Sequence, residues 1–180
     1  MNDLRPEYEA ARLLASQHRL GSGVWVKELT LEDRVLFDTF ENYRRICHAG
    51  DAVPCEGCTV KVDGLTLVLY NHGWDVARIN YTLAHELGHI ILHHGEDADE
   101  SEANRFASAL TVPFAPLRAL GRVSERQVAD FFGCSLTAAS VALRRPNIVT
   151  PYDEAVLALY AERIRAFKSG GNPLDISYDL

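Results

Sequence analysis

No run of apolar residues in this chain approaches the roughly 18 that a membrane-crossing helix needs. The densest stretch, Leu65 to Tyr70, is only strand-sized. Positive charge is also scarce: 18 Lys and Arg stand against 25 Asp and Glu, for a formal charge of −7. That balance argues against non-specific attraction to nucleic acid or to an anionic membrane surface. Cysteine is sparse, with four in 180 residues. A disulfide-stapled miniprotein is excluded, and free or metal-binding thiols in a reducing compartment are expected. The opening segment Met1-Asn2-Asp3-Leu4-Arg5-Pro6 has no basic start leading into an apolar stretch and no cleavage site. A secretory leader is therefore not expected, and a cytoplasmic location is. Repeats and low-complexity tracts are missing too.

What is there has the composition of an ordinary globular domain, 47% hydrophobic and 24% charged. At about 150 residues per domain the length suits one domain, expected over residues 1–167. Lys168-Ser169-Gly170-Gly171-Asn172-Pro173 then opens a loose tail, 168–180. Pro6 suits the first turn of a helix reaching about Leu20, and Val24-Trp25-Val26 reads as a short strand. Thr30 is placed to cap a second helix, in which Leu36, Phe40, Tyr43 and Cys47 recur at helical spacing. The clearest β signal is Thr59 to Val62, then Asp63-Gly64, then Leu65 to Tyr70. Asp-Gly between apolar runs marks a hairpin, because Gly accepts positive φ cheaply. Beyond Gly73 the pattern is helical: about Asp75 to His94, Glu100 to Val112, Ser124 to Phe132, Leu136 to Arg144 and Pro151 to Phe167. The expected class is α+β, a small antiparallel sheet packed by a mostly helical second half.

Four of the seven histidines lie in His85-Glu86-Leu87-Gly88-His89-Ile90-Ile91-Leu92-His93-His94. His85 and His89 are four residues apart, on one face of a helix and one turn along it, so both imidazoles can reach one Zn²⁺. Glu86 is not aimed at the metal; it flanks the water, where a carboxylate can take a proton. Burying such a polar set among Leu83, Ala84, Leu87 and Ile90 without partners would be costly, and a metal ion supplies one. A catalytic zinc uses three protein ligands and leaves one position open. Candidates for the third lie in the acidic stretch Glu96 to Glu102. Glu102 starts the apolar face that continues with Phe106, Ala109 and Leu110, which makes it the first choice, with Glu100 and Asp99 in reserve. His93 reads as a helix-end group next to the site and not as a fourth ligand that would close it. Tyr81, His94 and Tyr152 are candidates for steadying a developing oxyanion.

Two further signals are weaker. Cys55-Glu56-Gly57-Cys58 is a lone CxxC, so Cys55 and Cys58 could clasp a second, structural zinc with help from Cys47, His48 or His72. Ser124 to Arg145 has helix-turn-helix spacing, but its second helix opens Ser135-Leu136-Thr137-Ala138-Ala139, without the Arg, Lys, Asn or Gln that would meet base edges. Direct nucleic-acid binding is not expected.

The stretch Arg78 to His89, followed by Glu102-Ala103-Asn104-Arg105-Phe106-Ala107, resembles the ImmA/IrrE family of metallopeptidases. Tyr70-Asn71 and Val112-Pro113 fall where that family has a strand-ending Asn and a helix-ending Pro. The likeness is specific from about Val60 to Pro113 and looser to about Arg145. It implies a gluzincin-like helical core, with His85, His89 and Glu102 as zinc ligands and Glu86 as general base. It also implies a protein substrate, a helix-turn-helix repressor or regulator encoded nearby. The rival expectation is a toxin or partner-binding module of a two-component locus with little or no proteolysis.

Overall fold

Asp63 and Gly64 both take positive φ, 49° and 78°. This is the backbone that joins two strands tightly, and it pairs β2 (Gly57–Val62) antiparallel with β3 (Leu65–Tyr70). The structure, a computed structural model, describes residues 4–20, 23–31, 34–47, 57–95 and 100–170. The third strand, β1 (Val35–Thr39), lies on the other side of β3 and runs parallel to it, Val35 opposite Thr66 and Thr39 opposite Tyr70. The sheet is therefore mixed, in the order β1-β3-β2, where an antiparallel one was expected. Five residues of the expected second helix are this strand, and the helix proper, α2, is the shorter Phe40–Cys47.

Val24-Trp25-Val26 is not a strand either: a 3-10 turn, Val26–Glu28, follows an irregular segment. Its polar backbone is satisfied by a buried side chain. Asn80 Oδ1 accepts from Val26 N at 2.9 Å, and Asn80 Nδ2 donates to Val24 O at 2.6 Å. An amide that fills the role of a neighbouring strand leaves no sheet to extend.

Around the sheet stand α1 (Arg5–Ala15), α3 (Val76–Ile91), α4 (Glu100–Thr111), α5 (Phe114–Leu120), α6 (Glu125–Phe132), α7 (Leu136–Arg144) and α8 (Asp153–Lys168). The class is α+β, as expected. Helix α5, opened by Pro113, was not foreseen. The 168–180 tail lies outside the described residues beyond Gly170. Helix α3 packs chiefly on α4, α4 on α1, α5 on α8, and α6 on α7. Val68, Leu83, Leu87, Phe106, Leu110, Phe131 and Tyr160 share one buried core. A partly buried ion pair ties α1 to α4, with Arg105 Nη2 2.7 Å from a Glu7 carboxylate oxygen. The α6–α7 pair is capped as its sequence suggests: Ser124 and Gln127 form a capping box, Gly133 is left-handed at φ 68°, and Ser135 caps α7. No helix among the described residues is long and apolar enough to cross a membrane.

Candidate metal centre

Asp75 starts α3, its carboxylate accepting from Arg78 N at 2.9 Å. From there the 3.6-residue repeat sends Leu83, Ala84 and Leu87 into the core and leaves His85, Glu86 and His89 half-buried along one side. Helix α4 crosses α3 at Gly88, where a Cβ would meet Ala103 and Phe106. This close approach brings the first turn of α4 up to the two imidazoles.

The approach delivers Glu100. Its Oε2 lies 3.1 Å from His85 Nε2 and its Oε1 3.5 Å from His89 Nε2. The two imidazole nitrogens are 3.0 Å apart. Donors held at about 2.0–2.1 Å around a tetrahedral cation stand roughly 3.3 Å from one another, so these spacings fit a shared ion. A proton fits less well, since one proton between two nitrogens leaves the carboxylate and the remaining lone pairs crowded. Among the described residues, these three form the group of ligand-type side chains that converges within 4.8 Å. Burial lowers the His89 pKa below its ordinary value, and the neighbouring His85 lowers it further. Both effects favour the neutral imidazole that a metal requires.

Glu102 is placed elsewhere. Its Oε2 is 3.1 Å from His94 Nε2, and His94 Nδ1 is 2.9 Å from His89 Nδ1. The expectation of Glu102 beside the imidazole pair thus differs from the structure. Phe106, Ala109 and Leu110 are buried as expected, but the part of α4 that looks at His85 is the Glu100–Asn104 side. Asp99 lies outside the described residues. Asn104 is a functional neighbour that the sequence reading missed. Its Oδ1 is 3.2 Å from His85 Nδ1 and accepts from Tyr81 Oη at 3.2 Å. An amide oxygen only accepts, so His85 Nδ1 carries the proton and Nε2 presents its lone pair to the site. The four-residue spacing from Glu100 was the available signal.

Glu86 faces the sheet. Thr59 Oγ1 donates to its Oε2 at 2.9 Å, and a Cβ at Gly57 would stand 3.2 Å from its Cγ. His85, Glu86, His89, Glu100 and Asn104 open on a cleft of about 1410 Å³, whose other wall is β2 with Gly57, Cys58, Thr59 and Lys61. Tyr81 and His94 also line it, whereas Tyr152 is not among the lining residues. Burial raises the Tyr81 phenol pKa above its ordinary value. His93 is exposed, with φ 57°. Of the CxxC pair, Cys58 sits half-buried on β2, and Cys55 lies outside the described residues.

Compared with known proteins, residues 62–144 match the family model of a peptidase domain described as the IrrE N-terminal-like domain. The match runs from the end of β2 through α7 and takes in His85, Glu86, His89, Glu100 and Glu102. No curated protein matches the chain.

Proposed function

We propose that the protein, whose residues 62–144 match the IrrE N-terminal-like peptidase domain, is a zinc-dependent endopeptidase acting on a protein substrate. The observation that carries this reading is the convergence of His85 Nε2, His89 Nε2 and the Glu100 carboxylate at 3.0–3.5 Å. Two imidazoles and one carboxylate suit zinc, and three ligands leave a position open. Glu102, two residues on, points to the other side of α4, about 200° around the helix. Glu100 is the carboxylate beside the imidazole pair, and this supports it as the third ligand.

A zinc ion held there supplies Lewis acidity and a water of lowered pKa. The chain supplies the rest. Thr59 Oγ1 holds Glu86 Oε2 at 2.9 Å, which leaves Oε1 to take the proton of an attacking water and pass it to the leaving amine. Asn104 keeps His85 in the lone-pair-forward tautomer. Among the described residues, strand β2 stands at the end of the sheet order, and its residues wall the cleft. An extended substrate segment can add to such an edge by main-chain hydrogen bonds, which places a peptide carbonyl in front of Glu86.

The substrate we propose is a helix-turn-helix repressor or regulator encoded nearby, met in the cytoplasm. Direct DNA binding forms no part of this reading. The α6–α7 pair lies inside the matched peptidase domain, and Arg145 is turned inward, donating to Ser108 Oγ at 2.9 Å and Val112 O at 2.6 Å. The test is Glu86→Gln. The amide keeps the shape of the carboxylate but cannot accept a proton at neutral pH. Incubated with the product of a neighbouring repressor-like gene, it should bind zinc as wild type does and cleave about 10²–10⁴-fold more slowly, by mass analysis of fragments. Cleavage at the wild-type rate would remove Glu86 from its role. Tight binding without cleavage by either form would favour a partner-binding module.

A further inference from the structure

Helix α3 ends in a turn of defined geometry. His93 takes φ 57°; His93 N donates to Ile90 O at 3.2 Å, and His94 N donates to His89 O at 3.0 Å. These are the two reverse hydrogen bonds of a Schellman motif. In that motif the third-last helical residue and the second residue past the cap bring their side chains together, ordinarily as an apolar contact. In this chain those residues are His89 and His94. Their rings lie 5.0 Å apart between centroids, with Nδ1 facing Nδ1 at 2.9 Å. The far nitrogen of His94, Nε2, meets Glu102 Oε2 at 3.1 Å, and the His94 side chain is only 9% exposed.

The direction of each hydrogen bond follows from the two ends of the series. A carboxylate only accepts, so His94 Nε2 carries the proton. Between the two Nδ1 atoms one donates and the other accepts, and a metal on His89 Nε2 requires the donor to be His89 Nδ1, with His94 Nδ1 accepting. That leaves the lone pair of His89 on Nε2, the nitrogen that faces His85 and Glu100. The set selects one tautomer and one ring orientation of His89, the pair of properties that a metal-binding imidazole needs fixed.

We propose that Glu102 and His94 are positioning residues that hold His89 ready for metal, and that Glu102 acts through His94 and not as a ligand. This rests on the reading of His85, His89 and Glu100 as a zinc site. Without the pair, His89 samples both tautomers and both ring flips, and binding must first select one of the four states. Loss of such an outer partner ordinarily weakens metal affinity 10–100-fold.

The experiment measures Zn²⁺ affinity of the full chain by competition with a chromophoric chelator, with circular dichroism as the check on folding. Glu102→Ala and His94→Ala should each weaken binding about 10–100-fold. The double variant should be no weaker than the worse single one, since both act through one connection. Glu102→Gln, whose amide oxygen still accepts from His94, should bind within a few-fold of wild type. Glu100→Ala and His89→Ala should lose far more than either positioning variant. The proposal is overturned if Glu102→Gln loses as much as Glu100→Ala, which would make Glu102 a ligand. It is also overturned if Glu102→Ala and His94→Ala bind zinc as wild type while His89→Ala does not, and the zinc site then stands without the pair. Wild-type zinc binding by His89→Ala and Glu100→Ala would instead overturn the zinc site itself, and with it the role assigned to the pair.

Discussion

Replacing Gly88 by Ala sets two opposite effects against each other at the crossing that builds the site. Ala is the better helix former by about 0.8–1.0 kcal/mol, which alone would stabilise α3. The new Cβ would stand 3.1 Å from Phe106 Cδ1 and 3.3 Å from both the Cα and the carbonyl oxygen of Ala103. Carbon atoms pack comfortably at about 3.5–4.0 Å. Two of these three neighbours are backbone, so room comes from α4 moving away by a few tenths of an ångström. Overpacking of this kind typically costs about 1–3 kcal/mol. The balance is a net loss of about 1 kcal/mol, read as a lower urea midpoint for the metal-free protein. The same movement draws Glu100, one turn before Ala103, away from the imidazoles. Metal sites hold their donor distances to within about 0.2 Å, so zinc affinity should fall by about tenfold or more. A Gly88→Ala protein stabilised by the full ~1 kcal/mol of propensity, with unchanged zinc affinity, would refute the reasoning.

Two other outcomes follow from backbone and burial. His93 holds a left-handed conformation, φ 57°, which costs an ordinary L-residue about 1–2 kcal/mol and glycine almost nothing. Allowing for the greater chain entropy of glycine, His93→Gly should raise thermal stability by about 1 kcal/mol with zinc affinity intact; destabilisation would show that the His93 side chain contributes more than its backbone costs. Burial pushes the Cys134 thiol pKa up to about 11. At pH 8 its thiolate fraction is about 10²-fold below that of an ordinary cysteine. Alkylation followed by peptide mapping should find it nearly unlabelled in the native protein, and labelling as fast as in the unfolded chain would contradict the placement.

The hairpin and the later helices were legible because local chemistry dictates them. Asp63-Gly64 demands a tight turn, and α7 spans Leu136–Arg144, as read from its Ser cap and apolar spacing. Strand β1 was misread because Leu36, Phe40, Tyr43 and Cys47 keep helical spacing across a strand–helix junction. A parallel pairing with β3, distant in sequence, overrides that local pattern. At the site, His85, Glu86 and His89 follow from spacing on one helix. The choice between Glu100 and Glu102 depends on how α4 is rotated against α3. Amphipathicity shows which residues of α4 are buried, but Gly88 and Ala103 set which side of α4 looks at His85, and that contact spans two elements. Asn104 was obscured for the same reason.

The proposed chemistry requires a metal at one place with one set of ligands. Crystals of the zinc-loaded protein, measured on both sides of the zinc absorption edge, test it most directly. An anomalous peak about 2.0–2.1 Å from His85 Nε2, His89 Nε2 and a Glu100 carboxylate oxygen, with Glu102 still on His94, is the predicted result. A peak coordinated by Glu102, or no peak at this site with the metal bound elsewhere, would contradict it.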